Sequence, residues 1–137
     1  MNGRSPENQT LHEHLVRLLA KHYSSLGYKG IRADIPGSSE TPSGIYWSST
    51  PNQKYVPDIA CFKNDAANTL IIAEAETCET LRSAHTQEQW KLFAVYAREK
   101  NGEFHIITPE SCKDEAQTVT REMGITVTRF WWFNYKV

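Results

Sequence analysis

Residues 55–77, YVPDIACFKNDAANTLIIAEAET, decide the fold of this 137-residue chain. Two mostly apolar stretches flank the segment KNDAAN, whose composition is typical of a hairpin turn. The stretch IACF is apolar on both faces, which favours a buried central strand, and Pro57 fits the beginning of such a strand. We therefore predict strands over 55–62 and 69–77 that pair through the turn.

Hydrophobic periodicity on either side of this hairpin predicts further helices and strands. In LHEHLVRLLAKHYSSLG the apolar residues recur at helical spacing, with Asn8 or Thr10 as the candidate N-cap and Gly27 as the terminator. The other expected elements are a strand at 30–35, a helix at 83–100, a strand at 104–108, a helix at 111–123 and a strand at 125–133. This order predicts a single α/β domain over residues 1–137, with a mixed central β-sheet flanked by helices.

The composition limits the classes of protein to which this chain can belong. Hydrophobic residues make up 39% and charged residues 23%, which is typical of a folded soluble domain rather than of a disordered chain. No apolar run approaches the roughly 18 residues needed to span a bilayer, and MNGRSPENQT lacks an apolar signal region. We therefore predict a cytoplasmic protein with no membrane partner.

The cysteines and the net charge narrow these classes further. Cys61, Cys78 and Cys112 are odd in number and far apart, which argues against a zinc site and against a disulfide framework. All three are predicted to be free thiols, with Cys61 as a small core residue. The formal net charge of −1 counts against a strong nucleic-acid binder, which usually carries a basic excess. Carboxylates gathered around a metal would themselves lower the net charge.

The end of the predicted hairpin gathers three carboxylates. Side chains alternate along a strand, so Glu74 and Glu76 share one face with Leu70 and Ile72, about 6–7 Å apart along the backbone. Buried there, two carboxylates would repel each other and lose solvation, and a hard cation such as Mg²⁺ would offset both costs. Asp58 lies at the mouth of the neighbouring strand, where pairing would bring it to Glu74. The alternatives are that Asp58 only ends a turn and that the glutamates lie on a solvated strand end.

Together, Pro57-Asp58, the hairpin and the Glu74-x-Glu76 pair resemble the signature of the PD-(D/E)XK nuclease superfamily, over roughly residues 10–108. The resemblance implies a restriction-endonuclease-like αβββαβ core and hydrolysis of DNA phosphodiester bonds, with Mg²⁺ or Mn²⁺ held by Asp58, Glu74 and Glu76. Glu76 replaces the usual lysine, as in an Asp-then-Glu-x-Glu variant known among restriction enzymes. It would then serve as general base or as a further metal ligand. The alternative is a catalytically inactive nucleic-acid-binding or protein-binding module on the same fold.

The helix predicted over 83–100 places His85, Gln89 and Phe93 on the face that packs on the sheet, and Lys91 on nearly the opposite side. Gln89 followed by Phe93 resembles the Gln-x-x-x-Tyr motif of RecB-type and phage-exonuclease members, with Phe in place of Tyr. His85 and Gln89 are therefore candidate catalytic residues near the acidic strand ends, and polarity at a helix start is the alternative. Lys91 is rejected as a substitute for the missing lysine.

The first helix offers one more candidate residue. Members that resemble archaeal Holliday-junction resolvases carry a glutamate there, three positions before a Leu-hydrophobic pair. Matching that pair to Leu15-Val16 puts His12 at this position. Glu13 is adjacent but points away from the apolar stripe, so it is kept only as a candidate.

DNA is the expected partner, with RNA left open and a homodimer as a further expectation. Loop 36–54, in which residues 45–47 are a candidate strand, and the start of helix 83–100 would border the substrate groove. Candidate phosphate contacts, by location only, are Lys29, Arg32, Lys54, Lys63 and Arg82. The segment RFWWFNYKV, residues 129–137, places aromatic residues on both faces of a strand. Core packing is the default explanation, and a dimer surface or a base-stacking platform is the alternative.

Overall fold

The chain folds around a mixed β-sheet, and the computed structural model describes residues 4–134. In chain order the elements are α1 (Pro6–Ser25), β1 (Lys29–Ala33), β2 (Ile59–Phe62), β3 (Leu70–Ala75), α2 (Ala84–Glu99), β4 (Glu103–Pro109), a 3₁₀ turn (Glu110–Cys112), α3 (Lys113–Met123) and β5 (Arg129–Phe133). The predicted α/β class, with a mixed central sheet flanked by helices, is confirmed.

In the described part of the chain, the five strands lie in the sheet in their order along the sequence. β1 and β2 pair antiparallel, as do β2 and β3, whereas β3–β4 and β4–β5 are parallel pairs. Parallel pairs need a crossover connection, which α2 and α3 provide. The beginning of β2 therefore lies at the same end of the sheet as the C-terminal ends of β3, β4 and β5.

The hairpin between β2 and β3 forms as the sequence predicts. Ile59 pairs with Ala73 in an antiparallel ladder. The Lys63 N–H closes the turn by donating to the carbonyl oxygen of Thr69 at 2.8 Å. The Asp65 side chain accepts the N–H of Thr69 at 3.0 Å, which satisfies a backbone donor inside the turn. This short connection fixes the register of the two strands.

Helices cover both faces of the sheet, so the strands alternate between two apolar cores. The core under α1 includes Leu15, Leu19, Tyr23, Ile59, Ile71 and Ala73. The core under α2 and α3 includes Ile72, Trp90, Phe93, Phe104, Ile106 and Val119. Because successive residues of β3 alternate between these cores, Glu74 lies on the same face as Ile72, towards α2.

Helix α1 begins earlier than the sequence pattern suggests. Ser5 is the N-cap, and its Oγ accepts the N–H of Asn8 at 3.2 Å. Pro6 opens the first turn, where its missing N–H costs nothing. The prediction of Asn8 or Thr10 as N-cap is wrong, because hydrophobic periodicity gives no signal in a polar first turn. Gly27 follows the helix with a φ of 80°, so it acts as the predicted terminator.

Several of the predicted strands are shorter in the structure. β2 begins at Ile59 rather than at Tyr55, because the N–H of Asp58 bonds to the Glu74 side chain instead of the ladder. The candidate strand of the long loop is reduced to a single bridge between Ile45 and Tyr55. β5 begins four residues later than predicted.

Cys78 and Cys112 form a disulfide, with their Cα atoms 5.7 Å apart, so the prediction that both are free thiols is wrong. They are 34 residues apart in sequence, but one follows β3 and the other follows β4, and the ends of these parallel neighbours meet. Cys61 is buried with a free thiol, as predicted. Because disulfides are rare in reducing compartments, the Cys78–Cys112 bond does not support the predicted cytoplasmic location, which stays a prediction. Within residues 4–134, no helix is long and apolar enough to cross a membrane.

A chain of polar groups crosses the core under α1, towards the end of the sheet that lies away from Asp58. His105 Nδ1 lies 2.6 Å from the Tyr23 hydroxyl and accepts the Trp131 indole N–H at 3.1 Å. Because an indole N–H can only donate, the proton of the neutral imidazole is on Nε2. That nitrogen lies 2.9 Å from Glu103 Oε1, and Glu103 is also paired with Lys63. Five buried or half-buried groups therefore satisfy one another.

Candidate functional site

The register of β2 and β3 brings Asp58 and Glu74 together. Asp58 lies one residue before β2, opposite Glu74 in the register set by the pair Ile59–Ala73. The Asp58 N–H donates to Glu74 Oε1 at 3.0 Å, and the Ala75 N–H donates to Asp58 Oδ2 at 2.8 Å. Both acidic residues are buried. The predicted meeting of Asp58 and Glu74 across the ladder is confirmed.

Glu76 lies just beyond β3 and is almost completely buried. Its N–H donates to the carbonyl oxygen of Ile107 in β4 at 3.0 Å, which fixes the backbone there. Its Oε1 accepts hydrogen bonds from the Arg4 guanidinium, 3.2 Å away, and from the Thr80 hydroxyl. Arg4 is not among the residues predicted from the sequence, because the contact spans 72 residues and no local pattern marks it.

His12 of α1 also reaches the site. Its Nε2 lies 3.1 Å from Asp58 Oδ2, and its buried Nδ1 has no hydrogen-bond partner among residues 4–134. Glu13 turns elsewhere, and its carboxylate accepts the Gln9 side-chain amide at 3.4 Å. His12 shares the buried stripe of α1 with Leu15, whereas Glu13 is rotated by about 100° from it. The structure therefore brings His12 to the site and leaves Glu13 outside it.

The three carboxyl groups line one cavity of about 180 Å³, together with Arg4 and His12. The beginning of α2 contributes His85 and Gln89 to the same wall. The predicted location of these two residues beside the carboxyl groups is confirmed, and their catalytic role stays a prediction. Lys91 is exposed and does not line the cavity, as the helical spacing predicts.

Burial controls the protonation of these carboxyl groups. Burial raises the pKa of Glu74 well above its usual range, and the negative charges of Asp58 and Glu76 raise it further. Burial also raises the pKa of Glu76, against the opposing effects of the Thr80 hydroxyl and the Arg4 guanidinium. The Asp58–Glu74 pair therefore carries an unfavourable charge, which a bound proton or a bound cation would offset.

No group of three or more His, Cys, Asp or Glu side chains within residues 4–134 is placed to hold a metal ion by itself. Asp58 Oδ1 and Glu74 Oε2 accept no N–H or hydroxyl of these residues, and the two carboxyl groups instead form a side-chain hydrogen bond with each other, which a shared cation would replace. Mg²⁺ is commonly bound through one or two carboxylates and completes its shell with water. The donor set therefore fits a cation held by Asp58 and Glu74. Glu76 is less available, because its Oε1 is bonded to Arg4.

None of the five candidate phosphate contacts lines this cavity. Lys63 follows β2, at the end of the sheet opposite Asp58, and forms an ion pair with Glu103. Arg82 forms an ion pair with Glu115 of α3 at 2.8 Å. The other three candidates are Lys29, Arg32 and Lys54. That these residues contact phosphate stays a prediction, because no bound substrate marks where the phosphates would lie.

The aromatic residues of β5 pack on both faces of the sheet. Phe130 packs against the core under α2 and α3, while Trp131 and Phe133 pack against the core under α1. Core packing is confirmed for these three residues. Trp132 is 51% exposed, so the dimer-surface and base-stacking alternatives concern this side chain. Residues 135–137, the end of RFWWFNYKV, lie outside the described residues.

The fold and the site define an α/β domain in which two strand-borne carboxyl groups meet in a small buried cavity with histidine and arginine side chains. No family model, curated protein or solved structure matches this chain. Its function is therefore inferred from the residues and their geometry.

Proposed function

We propose that this chain is a metal-dependent nuclease that hydrolyses phosphodiester bonds in DNA, with Asp58 and Glu74 as ligands of Mg²⁺ or Mn²⁺. The observation that carries the proposal is the buried pair of carboxyl groups, hydrogen-bonded across two strands and lining one cavity. The order helix, three strands, helix, strand over Pro6–Pro109 supports the restriction-endonuclease-like core that the resemblance implies. RNA is an alternative substrate, and a homodimer stays a prediction.

The side chains around the pair have complementary tasks in this proposal. A bound divalent cation would lower the pKa of a coordinated water and neutralise charge on the phosphate. The Ala75 N–H and His12 both contact Asp58 Oδ2 and orient that carboxylate. Gln89 and His85, at the start of α2, border the space where the phosphate and the attacking water would lie. Their side chains can hydrogen-bond to either group.

A second candidate function is a catalytically inactive nucleic-acid-binding or protein-binding module on the same fold. Glu76 in place of the usual lysine favours it, as does the net charge of −1. The contact of Glu76 with Arg4 favours it too, because it engages an oxygen that a third metal ligand would need. Affinity for a divalent cation separates the two functions, since an inactive module has no requirement for one.

The experiment combines calorimetric titration with Mn²⁺ and cleavage assays in Mg²⁺ on double-stranded DNA, single-stranded DNA and RNA. Asp58→Asn keeps an acceptor for the Ala75 N–H, so the variant should remain folded while losing most Mn²⁺ affinity and cleavage. Asp114→Asn, the same change at an exposed position in the first turn of α3, is the matched control. Parental Mn²⁺ binding by Asp58→Asn would refute the metal assignment. A parent that binds no Mn²⁺ and cleaves none of the substrates would favour the inactive module.

A further inference from the structure

Arg4 brings a permanent positive charge into a cavity that otherwise gathers carboxyl groups. Its side chain is only 9% exposed, and it donates to Glu76 Oε1 at 3.2 Å. A guanidinium group stays protonated across the whole range in which proteins are folded. Asp58 and Glu74 therefore share the cavity with the positively charged side chain of Arg4.

The beginning of α1 and the loop after β3 together hold Arg4 at this location. Glu79 of that loop accepts the Ser5 N–H at 3.2 Å and the Ser5 hydroxyl at 3.4 Å. It also accepts the side-chain amide of Asn8. Glu76 belongs to the same loop and binds the guanidinium group, so one short segment anchors both the helix end and the Arg4 side chain. Arg4 is thus held beside the carboxyl groups by contacts on both its side chain and the adjoining helix start.

Stability alone is a poor explanation for this arrangement. Removing an arginine and a glutamate from water costs solvation free energy, and apolar residues of similar volume often stabilise a protein as well or better. A guanidinium group is suited to phosphate, because its planar fork presents parallel donors that match the phosphate oxygens. A phosphate approaching a cation held by Asp58 and Glu74 would also need positive charge from the protein wall.

We propose that Arg4 contacts the scissile phosphate of the nucleic-acid substrate, and that Glu76 orients Arg4 rather than binding the metal. This inference rests on the proposed nuclease function. Arg4 is then a catalytic residue and Glu76 is its positioning residue. The inference also accounts for a carboxylate at the position where the resemblance expects a lysine, because the positive charge comes from the residue before the N-cap of α1 instead of from the position after β3.

Four variants test the inference: Arg4→Ala, Arg4→Lys, Glu76→Gln and the double variant Arg4→Ala/Glu76→Gln. Arg98→Ala is the matched control, since Arg98 is exposed in the last turn of α2. Each variant is measured for Mn²⁺ affinity by calorimetry, for kcat and KM on a DNA oligonucleotide that the parent cleaves, and for melting temperature.

Arg4→Ala should lower kcat by about 100-fold or more, as loss of a donor to transition-state charge does, and should leave Mn²⁺ affinity unreduced. Arg4→Lys should recover part of the lost kcat, because it keeps the charge but loses the fork. Glu76→Gln should lower kcat without removing Mn²⁺ binding. The double variant should be no slower than Arg4→Ala, because a positioning residue has no effect once its target is gone.

A parental kcat in Arg4→Ala would overturn the phosphate contact. Loss of Mn²⁺ binding in Glu76→Gln, or additive losses of kcat in the double variant, would overturn the positioning role of Glu76. If Arg4→Ala fails to fold, Arg4→Lys decides, and a parental kcat in that variant refutes the inference. A parent that neither binds Mn²⁺ nor cleaves nucleic acid would refute the nuclease function itself, which is a different outcome from any of these.

Discussion

Asp58 and Glu74 are held together by the backbone of the hairpin that carries them. The N–H of Asp58 donates to Glu74 Oε1 at 3.0 Å, and the N–H of Ala75 donates to Asp58 Oδ2 at 2.8 Å. Each carboxyl group is thus positioned by an amide of the opposite strand rather than by a flexible neighbour. Such preorganisation is what a ligand site requires, and its cost is the repulsion between two buried acids.

Glu74→Gln should stabilise the metal-free protein at neutral pH. Burial, with the charges of Asp58 and Glu76, raises the pKa of Glu74, so the folded state keeps a proton that the unfolded state releases. Stability therefore falls as the pH rises from the usual range of a glutamate towards the raised pKa. Glutamine removes this loss and keeps an acceptor for the Asp58 N–H.

Urea denaturation in the presence of a chelator, from about pH 4 to pH 8, checks this prediction. The advantage of Glu74→Gln over the parent should grow as the pH rises through this window. Glu88→Gln, at an exposed position of α2, should follow the parent at every pH. A Glu74→Gln variant that is no more stable than the parent at neutral pH would argue against repulsion in the buried pair.

Gln89→Ala should lower any nuclease activity, whereas Lys91→Ala should leave it nearly intact. The two residues are close in sequence, but only Gln89 lines the cavity and Lys91 is exposed on another side of α2. Both variants should melt close to the parental temperature, because neither removes buried apolar surface. The measurement is the cleavage rate in Mg²⁺, and equal losses from the two variants would contradict the assignment of the helix faces.

Glu76→Gln tests a point on which the sequence and the structure give opposite expectations. In a cluster of carboxylates, loss of one charge should be neutral or stabilising without metal. In the structure Glu76 neutralises the buried Arg4, so glutamine offers that guanidinium a neutral acceptor in place of a carboxylate. We therefore expect a loss of about 2 kcal/mol in the metal-free protein.

Denaturation in chelator measures this loss. Glu122→Gln is the control, because Glu122 pairs with Arg82 on the surface at 3.5 Å and such pairs contribute little to stability. If Glu76→Gln matches or exceeds the parent in stability, repulsion among the carboxyl groups outweighs the contact with Arg4.

His105 should make the protein less stable as the pH falls below neutrality. Burial lowers the pKa of His105, against the hydrogen bond to Glu103, which acts in the opposite direction. The unfolded state therefore binds a proton at a higher pH than the folded state, and stability is lost as the pH falls through the usual pKa of histidine. His105→Gln should flatten this part of the profile, even though it lowers stability overall.

Urea denaturation between about pH 8 and pH 5 tests this dependence on His105. His14→Gln, at an exposed position of α1, should keep the slope of the parent. A His105→Gln variant with the parental slope would assign the dependence on pH to other groups.

Short-range periodicity in the sequence predicts contacts between residues of the same hairpin. It does not predict contacts between residues that are distant in sequence and meet only when the helices pack on the sheet. The alternation of β3 and the turn after β2 were sufficient to bring Asp58 to Glu74, and helical spacing separated Gln89 from Lys91. The contact between Arg4 and Glu76 joins residues 72 positions apart and depends on how α1 lies across the sheet. No repeat or motif in the sequence encodes the orientation of α1 on the sheet.

The disulfide between Cys78 and Cys112 was missed for the same reason. Its two residues become neighbours only because β3 and β4 are adjacent and parallel, so that both chains leave the sheet at one end. Counting cysteines gives no information about which strands are adjacent. His12 could be predicted only in part. Helical spacing places it on the buried stripe of α1, but the sequence does not show that its partner is Asp58.

The two backbone amides that hold the carboxyl groups can also be used to monitor the state of the cavity. The amide protons of Asp58 and Ala75 each lie in a hydrogen bond whose acceptor is an acidic side chain, so their magnetic resonance frequencies must follow the charge on those acids. Exchange of the same two protons with solvent requires their hydrogen bonds to the carboxyl groups to break, and the carboxyl groups then lose their arrangement in the cavity. Opening of these two hydrogen bonds and transient loss of the site are thus a single event, and any ligand that engages the acids will slow it.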